Sequence, residues 1–179
     1  EGELSEILLV VADVTRFKVA EENLLETETN FHVMAEYAPV SLWMTDVTGG
    51  CSFVNQTWLK YTGRTMAAEL GMGWTSSIHD EDRPISRAAF RGALEAQRPF
   101  SVECRMRRGD GEYRWMLNSG TPRFNGKNEF IGFVGASVDI TDSKEARETL
   151  LHTNDDLQSA VRTRDDFMSI ASHELRTPL

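Results

Sequence analysis

The sequence predicts an α+β fold: a five-stranded antiparallel sheet with short helices on one face, flanked at both ends by long helices of coiled-coil type. Three observations carry this. Strand patterns punctuated by tight-turn signals fall into two groups, two strands before residue 55 and three after residue 100. The stretch between the groups is helical in composition and spacing. On either side of the whole, apolar residues recur at alternating steps of three and four.

The elements follow in order. Residues 40–46 read as the first strand, 48–50 (Thr-Gly-Gly) as a tight turn and 51–54 as its partner strand. Asn55 then opens a short helix over 56–61, which Gly63 stops. Short helical pieces are expected over 66–79. A longer helix over 81–97 carries Pro84 in its first turn, where a missing N–H is tolerated. Residues 101–107 alternate, with Val102, Cys104 and Met106 on one face and Glu103, Arg105 and Arg107 on the other. The default for Arg105, Arg107 and Arg108 is a solvated strand face. Gly109-Asp-Gly111 turns into a strand over 112–122, and Asn125-Gly126 signals a hairpin into a last strand over 129–139.

An internal repeat organises the two ends. Asp13, Thr15, Lys18, Ala20, Glu22, Leu24, Leu25 and Thr27 recur as Asp139, Thr141, Lys144, Ala146, Glu148, Leu150, Leu151 and Thr153. Similarity over such a length points to a module used in tandem. Residues 1–14 are then expected to be the last strand of a preceding copy, and 15–36 a linker helix. Ala20, Leu24, Thr27, Phe31 and Met34 form a heptad seam, as do Ala146, Leu150, Thr153, Leu157 and Ala160. Beyond Leu157 the seam changes register, through Val161, Arg164, Met168, Ala171 and Leu175. That shift is a four-residue stutter, which locally unwinds a supercoil and offers a bistable element. The seams predict a parallel homodimer.

Bulk properties narrow the function. The net charge of −9, from 28 acidic and 19 basic residues, argues against nucleic acid as a partner. Two cysteines in no metal-ligand spacing suggest neither a disulfide framework nor a metal site, and fit a reducing, cytoplasmic setting. The apolar run over 7–12 is too short to span a bilayer. The chain opens on Glu1 rather than methionine and reads as a segment of something longer.

Four stretches together resemble the successive signatures of a PAS sensory domain: Asn55-Gln-Thr-Trp-Leu-Lys-Tyr-Thr-Gly63, Trp74 with His79-Asp-Glu-Asp-Arg83, Arg107-Arg-Gly-Asp-Gly-Glu-Tyr-Arg-Trp115, and residues 132–141. The resemblance places the PAS domain at 37–141. Members of that family bind haem, flavin or small metabolites, or serve only as dimerising transmitters. The haem-binding members use a histidine on the long helix, and residues 81–97 contain none. The light-sensing flavin members use a cysteine just after the asparagine of the first short helix, where this chain has Gln56-Thr57-Trp58. No cofactor is therefore expected, and the PAS ligand is left open. His79 reads as a capping or hydrogen-bonding residue. Trp43, Trp58, Trp74 and Trp115 read as core.

The last residues raise a sharper question, because His173 and Glu174 sit side by side at the end of a helical pattern. A zinc peptidase helix needs a second histidine where Thr177 stands, so a metal reading fails. A lone surface histidine is the common alternative. However, the run Asp166-Phe-Met-Ser-Ile-Ala-Ser-His-Glu-Leu-Arg-Thr-Pro-Leu179 closely resembles the phosphoacceptor box of sensor histidine kinases. The resemblance implies that His173 accepts the phosphoryl group, that Glu174 orients or deprotonates its ring, and that Thr177 assists dephosphorylation. Spacing agrees, since His173 lies two positions from Ala171 and Leu175 and so off the seam. An unperturbed imidazole, with a pKa of about 6.5, keeps a lone pair free at neutral pH. Pro178 lacks an N–H and should bend the helix one turn past His173.

The chain thus reads as residues 142–165, a signalling coiled coil, leading into 166–179, the start of a dimerisation and phosphoacceptor domain. The whole protein is expected to be an ATP-dependent protein-histidine kinase that passes phosphate to the receiver domain of a response regulator. ATP and Mg²⁺ would be held by a catalytic domain outside this chain, which alone should be inactive. The alternative is a non-enzymatic PAS dimerisation module with a vestigial box.

Overall fold

Alternating side chains decide the sheet. Along 100–107 the even positions from Val102 to Met106 turn inward, and Cys104 and Met106 are almost fully buried. A computed structural model of the protein describes residues 2–174, with side chains described for 18, 19, 21–164 and 168. Its elements run α1 (Gly2–Glu36), β1 (Ser41–Thr45), β2 (Cys51–Val54), α2 (Gln56–Thr62), α3 (Met66–Glu69), a 3₁₀ turn (Gly73–Ser77), α4 (Arg83–Ala96), β3 (Phe100–Arg107), β4 (Tyr113–Phe124), β5 (Phe130–Asp139) and α5 (Thr141–Glu174). The strands form one sheet in the order β2-β1-β5-β4-β3. The pairs β1–β2, β1–β5 and β3–β4 are antiparallel. The architecture is α+β, as the sequence predicts.

Helices α2 and α4 cover one face of the sheet and supply Trp58, Phe90 and Ala93 to a core shared with Trp43, Val54, Ile78, Met116 and Phe133. Phe90, Phe100 and Phe133 meet edge to face at 5.5–5.9 Å between ring centroids, the geometry that aromatic quadrupoles favour. Trp43 on β1 faces Gly135 on β5. A Cβ on Gly135 would fall inside the envelope of the Trp43 indole, and one on Gly120 of β4 would strike both that indole and Phe100. Two bare backbones therefore make the floor on which the largest side chain of the sheet lies.

The Asn55 side chain, entirely buried, joins three elements. Its Oδ1 accepts from Trp58 N at 3.1 Å, which caps α2, and from Leu42 N at 3.0 Å on β1. Its Nδ2 donates to Val40 O at 2.9 Å and to Ala35 O at 3.0 Å, in the last turn of α1. Thr57 adds a bond from its hydroxyl to Ala38 O at 2.6 Å. The linker helix is thus stitched to the domain through backbone carbonyls.

Residues 2–14, expected as the last strand of a preceding module, are instead helical and continuous with the linker to Glu36. A strand satisfies its N–H and C=O groups only through a neighbour, and the five-stranded sheet makes no use of this segment. A helix satisfies them internally. At the second copy of the repeated Asp-x-Thr motif, residues 139–141, strand β5 passes into α5. There Asp139 Oδ1 accepts from Thr141 N at 2.9 Å to open α5.

The hairpin signalled by Asn125-Gly126 joins β4 to β5. Asn125 N donates to Glu129 O and Asn128 N to Asn125 O, both at 2.9 Å, and Asn128 takes the left-handed conformation at φ 61°. The result is a three-residue loop closing on a left-handed residue. Asn125 Oδ1 accepts from Lys127 N and Glu129 N, which explains why asparagine stands there.

The chain divides into two compact units, residues 1–138 and residues 139–179. Seam positions Leu24, Phe31 and Met34 on α1 and Leu150, Leu157 and Val161 on α5 are all exposed. Asn55→Ala removes four hydrogen bonds, among them the buried cap on Trp58 N. We expect it to lower stability by about 3 kcal/mol or more, read from the urea midpoint.

Candidate functional site

Three places bear on function: the interior of the sheet domain, a charged cluster at its edge, and the end of α5. The interior holds a cavity of about 40 Å³ walled by residues of β1–β4, α2 and α4, with Trp74 and Ile78 from the connection between the helices. Trp43 and Trp58 are buried there, and Trp74 packs edge to face on Phe90 at 5.8 Å. Three of the four tryptophans therefore line or support the core. The fourth, Trp115, lies under the Arg105 guanidinium at 5.5 Å.

Most polar groups of the cavity wall are engaged. Thr45 Oγ accepts from Phe133 N at 3.0 Å. Asn118 Oδ1 accepts from the Ser137 hydroxyl at 2.5 Å, and its Nδ2 donates to Cys104 Sγ at 3.3 Å. This chain of contacts runs from β3 through β4 to β5, the strand that precedes α5. Burial pushes the Cys51 thiol up to about 11 and raises that of Cys104 as well, so both are protonated at neutral pH. Both cysteines are free.

The edge cluster was not legible in the sequence, where Arg105 reads as a solvated strand residue. Its guanidinium instead closes a two-pronged pair on Asp82, with Nε 2.9 Å from Oδ2 and Nη2 2.6 Å from Oδ1. Arg105 N donates to the same carboxylate at 2.7 Å, and Nη2 reaches Glu81 at 2.8 Å. Asp82 sits at the N-cap of α4 yet makes no capping bond, because its oxygens are committed to β3. Arg108 is paired too, with Asp110 and Glu112. Only Arg107 of the three matches the exposed reading.

His79 is a structural residue. Its Nδ1 accepts from Glu81 N at 3.3 Å, its backbone N donates to Arg105 O at 2.9 Å, and its ring meets Tyr113 edge on at 4.7 Å. Among the described residues, no group of three or more His, Cys, Asp or Glu side chains is arranged to hold a metal.

The predicted phosphoacceptor residues lie at the far end of the chain. His173 and Glu174 belong to the last turn of α5 by backbone, with side chains outside the described set, and Thr177 lies outside the described residues. Among the described residues, no helix is long and apolar enough to cross a membrane.

The sheet domain resembles known proteins. Residues 52–137 match the family model described as the PAS fold. Over 141 residues, 79% of this chain, it is 33% identical to the uncharacterized protein y4lL of Sinorhizobium fredii. Over 94% of its length it is 29% identical to the peroxide stress-activated histidine kinase mak1 of Schizosaccharomyces pombe. The chain spans 17% and 11% of those two relatives. A solved sensory box histidine kinase/response regulator from Burkholderia thailandensis superposes with a TM-score of 0.53 at 28% identity, covering 72% of this chain and 98% of that one.

The Asp82 carboxyl is held below its ordinary 3.8 chiefly by the hydrogen bond from Arg105, against the opposing effect of burial. A depressed native pKa contributes stability that is complete above the unfolded value and is lost as pH falls through the native one. We expect Asp82→Asn to cost about 2 kcal/mol at neutral pH. The variant should also lose less stability than the parent on acidification below pH 3.8, measured by urea unfolding across pH 2–7.

Proposed function

On the match of residues 52–137 to the PAS fold, we propose that the chain is the sensory and transmitting part of a histidine protein kinase. A signal detected by the PAS domain passes along α5 to autophosphorylation at His173, and the phosphoryl group then moves to the receiver domain of a response regulator. The observation that carries this reading is the order of parts. Strand β5 ends at Asp139, α5 begins at Thr141, and the helix runs without a break to the turn that holds His173 and Glu174. Supporting it, relatives such as mak1 are histidine kinases by name.

In the transfer, a ring nitrogen of neutral His173 attacks the γ-phosphorus of ATP. The bond to ADP breaks, and Glu174 takes the imidazole proton as general base. ATP and Mg²⁺ belong to a catalytic domain outside this chain. Thr177, four residues after His173 in the sequence, is assigned to the reverse traffic, the removal of phosphate. The absence of the haem histidine and the flavin cysteine supports a PAS domain that carries neither group.

Autophosphorylation of the whole protein with ATP and Mg²⁺ tests the reading. We expect an acid-labile, base-stable phosphoryl group on His173 that His173→Gln abolishes. Glu174→Ala should slow labelling by about a hundredfold, the lower end for a lost general base, while Thr177→Ala should leave labelling intact and prolong the lifetime of the phosphoryl group. Labelling of His173→Gln at the parent rate overturns the assignment and leaves the PAS dimerisation module as the function.

The exposed seams of α1 and α5 support a parallel homodimer, because apolar side chains at heptad spacing seek a partner helix. Light scattering of the 20.2 kDa chain should give about twice its mass. Leu150→Asp combined with Leu157→Asp should return it to the monomer value.

A further inference from the structure

A second cleft lies at the edge of the sheet domain and shares no residue with the interior cavity. Two backbones meet beside it. Gly63 stops α2 in the left-handed conformation at φ 66°, and Gly109 of the β3–β4 turn comes so near that a Cβ on either would lie 3.1 Å from the other's Cα. Gly109 N donates to Tyr61 O at 2.9 Å, which holds the turn against the end of α2. The cleft measures about 310 Å³, at the lower end of the ~300–1,000 Å³ of small-molecule sites.

Three arginines stand in its wall, in a chain whose net charge is −9, and their donors are unequally engaged. Arg64 is committed to buried Glu69 at 2.6 Å, to Ser76 Oγ at 2.8 Å and to the carbonyls of Ala68 and Gly73. Arg108 engages Asp110 and Glu112 through Nε and Nη2 and leaves Nη1 over. Asp110, the one acid of the wall, is turned to that guanidinium and to Glu112 N. Arg107 is exposed, and its side chain makes no hydrogen bond or ion pair among the described residues. Ser77, 1% exposed, stands in the same wall with a hydroxyl that is bonded to no described residue.

The uncommitted donors come from three places: Arg107 at the end of β3, Arg108 in the turn after it and Ser77 at the end of the 3₁₀ turn. A carboxylate offers two oxygens in one plane, whereas a phosphate offers three in separate directions, so donors ranged round a cleft suit the tetrahedral group. The wall holds no aromatic ring on which a nucleobase could stack. The net negative field of the chain repels anions, so an anion that stays is held by contacts rather than by charge at a distance. We propose that this cleft binds the phosphate group of a small phosphomonoester, or free phosphate, between Arg107, Nη1 of Arg108 and the hydroxyl of Ser77. The site goes beyond the kinase reading and does not rest on it.

The test titrates the ¹⁵N-labelled chain with inorganic phosphate, glycerol phosphate and acetate, with ionic strength balanced by chloride. The backbone amides of Gly109 and Gly111 are the readout. We expect saturable shifts with phosphate and none with acetate. Tighter binding of glycerol phosphate identifies a monoester as the ligand, and tighter binding of inorganic phosphate identifies the free ion. Arg107→Gln should weaken binding at least about tenfold, the loss of a charge-assisted hydrogen bond, and Ser77→Ala about fivefold, the loss of an ordinary one. Arg91→Gln, which removes the same charge from the exposed side of α4, should leave the affinity unchanged. Arg107 is exposed, so its variant decides the matter even where Ser77→Ala unfolds. Three results overturn the proposal: no saturation with either phosphate, parent affinity in Arg107→Gln or in folded Ser77→Ala, or equal losses in Arg91→Gln and Arg107→Gln. Acetate binding as tight as that of phosphate also overturns it. No nucleotide or catalytic domain is involved. An unlabelled His173 therefore leaves this site standing, and an empty cleft leaves the phosphoacceptor reading standing.

Discussion

The carboxamide of Asn55 is satisfied on both of its atoms, and the arrangement of the sheet domain follows from that. An amide in a dry interior must find its partners or destabilise the fold by several kcal/mol. Here the partners are backbone groups of three separate elements, the end of α1, the start of β1 and the first turn of α2. Fixing one side chain therefore fixes the entry of the chain, the start of β1 and the axis of the first covering helix together. Trp58, placed by that helix cap, joins Trp43 in the core.

Much of this was legible in the sequence because it is local. Alternation along Val102, Cys104 and Met106 gave the inward face of β3, and Asn55 with Gly63 bounded α2 to within one residue. What escaped is non-local. Arg105 alternates like a solvated residue, and only the fold brings Asp82, 23 positions earlier, onto its guanidinium. Gly126 lies in the turn that the sequence signals, and the left-handed position that closes the loop is taken by Asn128. Residues 1–14 read as a strand because the repeat of 13–27 at 139–153 sets them where β5 stands in the second copy, whereas in this chain residues 2–14 are helical, a form that satisfies their backbone groups internally.

The candidate sites divide in the same way. His173 and Glu174 stand out through a contiguous motif, which needs no tertiary information. The cavity has no such signature. Its wall draws on residues from 43 to 118, which only the fold brings together.

Between the last residue of β5 and the first of α5 stands a single residue, Ile140. Beyond it α5 is a rod of roughly 50 Å, at about 1.5 Å per residue over 34 residues. Its backbone closes its hydrogen bonds within the helix, so Thr141 and Glu174 keep a fixed angular spacing about one axis. A turn of the first residue about that axis is a turn of the last.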